Sequence, residues 1–283
     1  MSTVITKLIR RAAAQLPPFP RVAEKVLQLL QDPDVGVGSL VEVVQLDASL
    51  TSNILKVVNS PVYGVIHRVD NLSQALAILG NRPFAEVVFS SASAELLSQR
   101  QAGYDLDKGE LWQHSLATAL MTQVLAEQVG HTPGPSLYTG ALLHDIGKVV
   151  LSQFVSNKYE MILEEVRQGR PFLEAERDIL GLDHAELGYE IAKGWHFSQD
   201  MCDLIRYHHD PAPKRGSRDL AVLYVANVAC QNLGLGGGAD GVAQAWDEDA
   251  LASLGLTELG LQLALADLQL RLAEAESLLG MAS

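Results

Sequence analysis

The sequence has few cysteines, few basic residues and no long apolar run, and each shortage excludes a class of protein. Its 283 residues include only two cysteines, so a disulfide framework is excluded and a reducing cytoplasm is expected. Lys and Arg total 21 against 34 Asp and Glu, and this net charge of −13 disfavours a nucleic-acid polymer or an anionic membrane as partner. No run of about 18 apolar residues is present to span a bilayer, and the first residues lack a signal-peptide core. We therefore expect a cytoplasmic protein.

Strand signals are also almost absent, because no alternating Val, Ile, Thr or Tyr run is flanked by hairpin turns. The periodicity is helical instead, as in the stripe formed by Val22, Val26, Leu29 and Leu30. An all-α fold follows, with a multi-helix core. Helices are predicted over residues 22–30, 39–46, 47–58, 75–79, 110–129, 136–154, 158–167, 172–180, 185–195, 200–208, 219–233 and 256–279.

Short polar and glycine-rich segments predict helix caps and subdomain boundaries. Ser39 with Glu42 has the spacing of a capping box, and Ser73 is a candidate N-cap. A short polar stretch near residues 101–109 predicts an N-terminal helical subdomain, 1–100, and a second subdomain, 101–283, that includes the Leu-rich terminal helix. The glycine-rich run 234–241 is expected to be a flexible link.

The second half contains five histidines and an aspartate within mostly apolar, helical sequence. Neutral imidazole and carboxylate are ligands that suit iron, manganese, zinc or nickel, so the pattern predicts a buried metal centre. The candidate ligands are His114, His144, Asp145, His184, His208 and His209.

Each candidate also has a plainer interpretation. The apolar neighbours of His144 and Asp145 would bury both side chains, and a buried carboxylate is costly unless it is paired or binds a cation. On a helix the two side chains point about 100° apart, so they could hold one ion or let the carboxylate bridge two. The alternative is a simple His–Asp hydrogen bond.

Each of the other candidate histidines, taken singly, also has a structural interpretation. His114 fits a core histidine, and His184 precedes a helix and fits a surface residue. The pair His208-His209 fits imidazoles that face a helix C-terminus. The histidines outside this set are expected to be structural or solvent-exposed: His67, His131 and His196.

Three N-terminal segments carry a family resemblance: Leu16-Pro17-Pro18-Phe19-Pro20, residues 46–51, and Val58-Asn59-Ser60-Pro61-Val62-Tyr63-Gly64. They resemble HDOD domains, which are bacterial all-helical modules related to HD phosphohydrolases and usually attached to signalling proteins. The resemblance runs from about residue 8 to residue 233. It implies a non-enzymatic signalling or interaction module whose partner is a signalling protein or a small nucleotide ligand.

The second half resembles the HD core, in which a lone His, a His-Asp pair and a later Asp bind metal. The resemblance matches these to His114, His144-Asp145 and the position of Asn227, where a neutral amide replaces the acid. His184 and His208-His209 are similar to the extra ligands of the HD-GYP branch, which cleaves cyclic di-GMP. The Gly-Tyr-Pro signature of that branch is missing.

An alternative function therefore stays open. In it, one or two transition-metal ions, with iron favoured over manganese, nickel or zinc, serve a phosphohydrolase that acts on a nucleotide or cyclic dinucleotide. Asp145 would bridge the ions as a catalytic residue, and Lys148 would neutralise phosphate charge with help from Arg206. The regulatory module is the favoured function, because Asn227 and the missing signature both weaken the case for catalysis.

Overall fold

The computed structural model describes residues 2–32, 34–236, 238 and 247–279, and across these the regular structure is helical with no strand. The all-α prediction is confirmed. The helices are α1 (Ser2–Ala13), α2 (Arg21–Leu29), α3 (Val37–Val44), α4 (Ala48–Val58), α5 (Leu72–Leu79), α6 (Asn81–Leu97), α7 (Glu110–Gln128), α8 (Leu137–Leu143), α9 (Ile146–Ser156), α10 (Tyr159–Arg167), α11 (Phe172–Leu180), α12 (His184–Gly194), α13 (Gln199–Tyr207), α14 (Arg218–Asn232), α15 (Glu248–Leu254) and α16 (Glu258–Leu279).

Internal packing divides the chain into two compact units. One comprises Pro18–Glu95 and the residues from Gln269 onward, and the other comprises Met1–Pro17 and Leu96–Leu268. Within the described residues no single helix has the length and hydropathy of a membrane span. Only α15 together with α16 as far as Glu276, bent by 83°, passes that test of length and composition.

Helix caps in the first unit depart in part from the sequence prediction. Asp47 caps α4 by accepting hydrogen bonds from the backbone N–H of Ser49 and Leu50, at 2.9 and 3.0 Å. Asn71, rather than Ser73, caps α5. The capping box expected at Ser39 is wrong, because α3 begins two residues earlier and its N-cap, Gly36, makes no side-chain hydrogen bond.

The Asn-Ser-Pro segment has a structural role. The Asn59 amide donates to the carbonyl oxygens of Leu55 and Val69, both at 2.7 Å, and its oxygen accepts from Val69 N–H at 2.8 Å. Asn59 thereby fastens the loop that follows α4 back onto the end of that helix.

In the second unit, α7 packs against α8 and α14, while α12 packs against α9 and α13. The helix predicted over residues 136–154 is broken: α8 ends at Leu143 and α9 begins at Ile146. Asp145 occupies the break with φ −98° and ψ 14°. The helical pattern of apolar residues continues across the break, so the sequence did not reveal it. The break places the His144-Asp145 pair at a helix junction inside the core.

Candidate metal centre

The structure brings all six predicted ligands together. His114 comes from the first half of α7, His144 and Asp145 from the α8–α9 junction, and His184 from the first turn of α12. His208 and His209 directly follow α13. The first five side chains are at most 1 % exposed, and His209 is partly exposed.

The six residues form two ligand sets that share Asp145. In the His114 set, the Nε2 atoms of His114 and His144 lie 3.6 and 3.4 Å from Asp145 Oδ2. The His184 set contains Asp145, His184, His208 and His209. In it, the Nε2 atoms of His184 and His208 lie 3.4 and 3.5 Å from the other oxygen, Oδ1. One buried carboxylate therefore faces imidazoles on both sides.

Hydrogen bonds behind the imidazoles fix which nitrogen faces inward. The Nδ1 atoms of His114, His144 and His208 lie 2.9, 2.7 and 2.8 Å from the carbonyl oxygens of Leu235, Ala141 and Ile205. A carbonyl oxygen only accepts, so each Nδ1 carries the proton and each neutral ring presents a lone pair on Nε2. This arrangement is the usual one for a histidine that binds metal through Nε2.

A buried acid supports the fourth imidazole. His184 donates from Nδ1 and from its backbone N–H to Glu176 Oε2, both at 2.8 Å, and the Tyr104 hydroxyl donates to Glu176 Oε1. Burial alone would lower the pKa of His184, but the Glu176 carboxylate outweighs it and raises that pKa. Glu176 and Tyr104 are both fully buried.

Sequence reasoning missed Glu176, although a signal was present. Phe172, Ala175, Glu176 and Leu180 recur at helical spacing and are the buried residues of α11. An acid on the apolar stripe of an amphipathic helix indicates a buried partner, whereas acids on the other face are ordinarily solvated.

Charge at the centre of the cluster is set by Lys148. Its Nζ is fully buried, lies 2.7 Å from Asp145 Oδ2, and sits 5.5 Å from the centre of the Tyr104 ring. Burial would raise the pKa of Asp145, but Lys148 and His144 outweigh it and hold that pKa well below its usual value. Burial and His144 together lower the pKa of His114 to about 4. At neutral pH the carboxylate is ionised and His114 is neutral.

Several buried polar atoms in this region have no hydrogen-bond partner, and they test whether a cation fits. Asp145 Oδ1 and His208 Nε2 are both unsatisfied. The Nε2 lone pairs of His114 and His144 face each other at 3.2 Å. Unsatisfied buried lone pairs are costly, and a transition-metal ion with nitrogen and oxygen ligands would satisfy them. The donor set fits a metal.

The remaining predicted residues lie as follows. Asn227 is fully buried in α14, and neither atom of its side-chain amide has a partner. Arg206 pairs with Asp183 at 3.7 Å and with Glu186 at 3.9 Å, and its guanidinium lies 5.7 Å from the centre of the Tyr207 ring, so its charge is paired with acids outside the six candidate ligands. His131 pairs with Asp219 at 2.5 Å, which agrees with a structural role.

The glycine-rich run is only partly a link. Leu235 accepts the His114 hydrogen bond, and a Cβ added at Gly236 would lie 2.5 Å from the carbonyl oxygen of Glu110, so this stretch packs on α7. Its positive φ of 61° also requires glycine. Of the predicted link, Gly237 and residues 239–241 lie outside the described residues, as do residues 242–246.

Comparison with curated proteins gives a relative that is similar in sequence. An uncharacterized protein from Treponema pallidum (strain Nichols) is 26% identical over 243 residues, which cover 82% of this chain and 46% of the relative. The chain thus spans about half the length of the curated relative it matches.

Solved structures share the fold. An HDOD domain protein of unknown function from Geobacter sulfurreducens has a TM-score of 0.76 at 25% identity, covering 97% of this chain and 96% of that one. A protein from Shewanella amazonensis SB2B, whose name assigns it provisionally to the phosphohydrolases, has a TM-score of 0.66 at 21% identity, with coverage of 95% and 94%. The family model for the HDOD domain matches residues 16–211, well over half of the sequence. The chain belongs to the HDOD domain family.

Proposed function

We propose that this protein is a regulatory HDOD module whose second unit holds a two-ion transition-metal centre with little or no catalytic turnover. One observation carries the metal assignment. The imidazoles of His114, His144 and His208 donate from Nδ1 to carbonyl oxygens, and that of His184 donates to Glu176. The Nε2 atoms of all four face the buried carboxylate of Asp145. Such outer hydrogen bonds orient histidines for metal binding.

Two ions fit this arrangement better than one. The two oxygens of Asp145 face different imidazoles, and the ligand atoms within each set all lie within 4.8 Å of one another. The carboxylate, kept ionised by Lys148 at the junction of α8 and α9, would hold one ion through each oxygen, and this double use accounts for its burial between two groups of imidazoles.

The burial of the cluster supports a regulatory role. His114, His144, His184 and His208 are all 0 % exposed, so a substrate phosphate has little access to the ligands. The cationic groups expected to hold phosphate are already engaged, Lys148 with Asp145 and Arg206 with Asp183 and Glu186. Metal binding at such a site ties α7, α12 and the ends of α8 and α13 together, and its free energy becomes folding free energy. A signalling protein or a small nucleotide could sense that state at the surface.

A phosphohydrolase is the second candidate, and the shared carboxylate favours it. Two bound ions would supply Lewis-acid polarisation of a phosphoryl oxygen and a more acidic water. His209 is the partly exposed member of the cluster, so a phosphate would approach from its side. In this case Asp145 would hold the centre together, and Lys148 would keep the ionised carboxylate in place.

The two functions are separated by a turnover assay on metal-loaded protein. We expect the metal-loaded wild-type protein to hydrolyse cyclic di-GMP and bis(p-nitrophenyl) phosphate no faster than a His144→Ala variant does. Glu174→Gln, an exposed change on α11, is the matched control. Hydrolysis that requires metal and is abolished by His144→Ala would overturn the regulatory assignment.

A further inference from the structure

We infer that the two ligand sets are unequal: the His184 set binds its ion first and more tightly, and Glu176 and Tyr104 are the positioning residues responsible. This inference rests on the proposed metal centre. It concerns the order of loading and the residues that impose it.

The two oxygens of Asp145 differ in their partners. Oδ2, which faces the His114 set, accepts a hydrogen bond from Lys148 Nζ at 2.7 Å. Oδ1, which faces the His184 set, has no hydrogen-bond partner. A dication in the His114 set must therefore share its oxygen with an ammonium group and lie close to a positive charge. A dication in the His184 set does not share its carboxylate oxygen with Lys148, although the positive charge of Lys148 also acts on His184.

The number of imidazoles points the same way. The His184 set offers three, from His184, His208 and His209, whereas the His114 set offers two. With Asp145 added, the His184 set supplies four ligands, the number that a closed transition-metal site prefers, and the His114 set supplies three.

The groups behind the imidazoles differ in charge. His114, His144 and His208 donate from Nδ1 to neutral carbonyl oxygens, but His184 donates to the carboxylate of Glu176. A carboxylate behind an imidazole raises its basicity and fixes its orientation, so the metal it holds is bound more strongly. Only the His184 set, among the described residues, has this support.

Glu176 is itself held in place. Tyr104 donates to its other oxygen, and Tyr104 follows Gly103, whose N–H donates to Ser152 Oγ at 3.0 Å. A Cβ added at Gly103 would clash with the carbonyl oxygen of Ser152, which shows how closely this segment packs on α9. The carboxylate therefore stays aimed at His184.

A purely structural role for Glu176 is the competing explanation, because it also accepts the backbone N–H of His184 at the start of α12. That role predicts lower stability for Glu176→Gln with both metal-binding steps weakened alike, or neither. The proposed role predicts that only the first step weakens.

The test is a Co²⁺ titration of metal-free protein, followed by d–d absorption, with thermal unfolding of each metal-free variant beside it. For the wild type we expect two resolved binding steps. Glu176→Gln should weaken the first step about 10- to 100-fold, the usual effect of losing such a partner, and leave the second within about threefold. Tyr104→Phe should weaken the same step by less. Glu174→Gln, the same change on the exposed face of α11, should change neither.

Two ligand variants assign the steps directly. His209→Ala should abolish the tight step, and His114→Ala should abolish the weak one. If metal-free Glu176→Gln does not fold, Tyr104→Phe and these two variants decide the question.

The outcomes are distinct. Two equal steps in the wild type, equal weakening of both by Glu176→Gln, or loss of the tight step in His114→Ala would overturn the inference and leave the metal centre standing. A wild-type protein that binds no Co²⁺ would overturn the proposed function as well.

Discussion

A single methyl group added at Gly147 should damage both the fold and the metal centre. Gly147 lies in the first turn of α9, where that helix meets α12. A Cβ there would be 1.9 Å from the carbonyl oxygen of His184 and 3.0 Å from the backbone nitrogen of Gly188. Both atoms belong to the backbone, so no side-chain rotation can relieve the clash.

The size of the effect follows from these distances. Ordinary contact begins near 3.4 Å, so the two helices must separate by about 1.5 Å. That exceeds the ~0.5 Å within which a site's geometry must be held, and it moves His184 away from Asp145. Overpacking a core costs about 1–3 kcal/mol, and a backbone clash places Gly147→Ala at the upper end of this range.

Gly188→Ala is the matched control on the facing helix. Its Cβ would meet the Ile205 Cγ2 methyl at 2.8 Å, a side-chain contact that is longer than the 1.9 Å backbone clash at Gly147. Alanine also favours the helix by about 0.5–1 kcal/mol, so the net cost should be clearly smaller than that of Gly147→Ala.

The assay is urea unfolding of the metal-free proteins at constant m-value, followed by a Co²⁺ titration. Gly147→Ala should lower the midpoint far more than Gly188→Ala and weaken Co²⁺ binding. A Gly147→Ala protein with the wild-type midpoint and the wild-type Co²⁺ affinity would refute the reasoning.

Three further outcomes are expected. Asn59→Ala removes two hydrogen bonds to Val69 and one to Leu55 of α4, and it should cost about 2 kcal/mol in urea unfolding; a loss below ~0.5 kcal/mol would contradict this. Burial would raise the pKa of Asp183, but His184, the Glu186 N–H and Arg177 outweigh burial and lower that pKa. The ionised carboxylate therefore stabilises the fold above the usual carboxyl pKa of ~4, and this stabilisation is lost as the pH falls. Asp183→Asn should flatten the acid side of the curve of unfolding free energy against pH, and an unchanged acid side would contradict this prediction. Lys148→Met leaves the Asp145 carboxylate without its ammonium partner, so the unfolding free energy of the metal-free protein should fall by about 3 kcal/mol. Co²⁺ should then stabilise this variant more than it stabilises the wild type, as thermal unfolding of both proteins with and without Co²⁺ would show.

The sequence predicted the helical class and most helices of the second unit, because their apolar stripes are regular. For example, the helix predicted over residues 172–180 matches α11 residue for residue. It did not predict α1, which packs against α9, α11 and α12, since only distant partners give that segment its buried face. It also missed the break at Asp145, because the apolar pattern of a helix continues from α8 into α9 across it.

The candidate ligands were found from residue type and order, which needs no knowledge of geometry. Their division into two sets was beyond the sequence, because it depends on which oxygen of Asp145 each imidazole faces. Glu176 and Tyr104 were missed for a related reason. Tyr104 lies far from His184 along the chain, and the buried stripe of α11 marks Glu176 only as an acid that needs a partner. Packing alone shows that Glu176 contacts both Tyr104 and His184.

The most direct test of the central claim is the metal content of the protein purified without chelators, measured by elemental analysis against protein concentration. We predict about two transition-metal ions per chain, as a centre bridged by one carboxylate requires. Asp145→Asn should lose most of this metal and Glu174→Gln should keep it. Wild-type protein free of bound metal that also fails to take up added Fe²⁺, Mn²⁺ or Zn²⁺ would contradict the account.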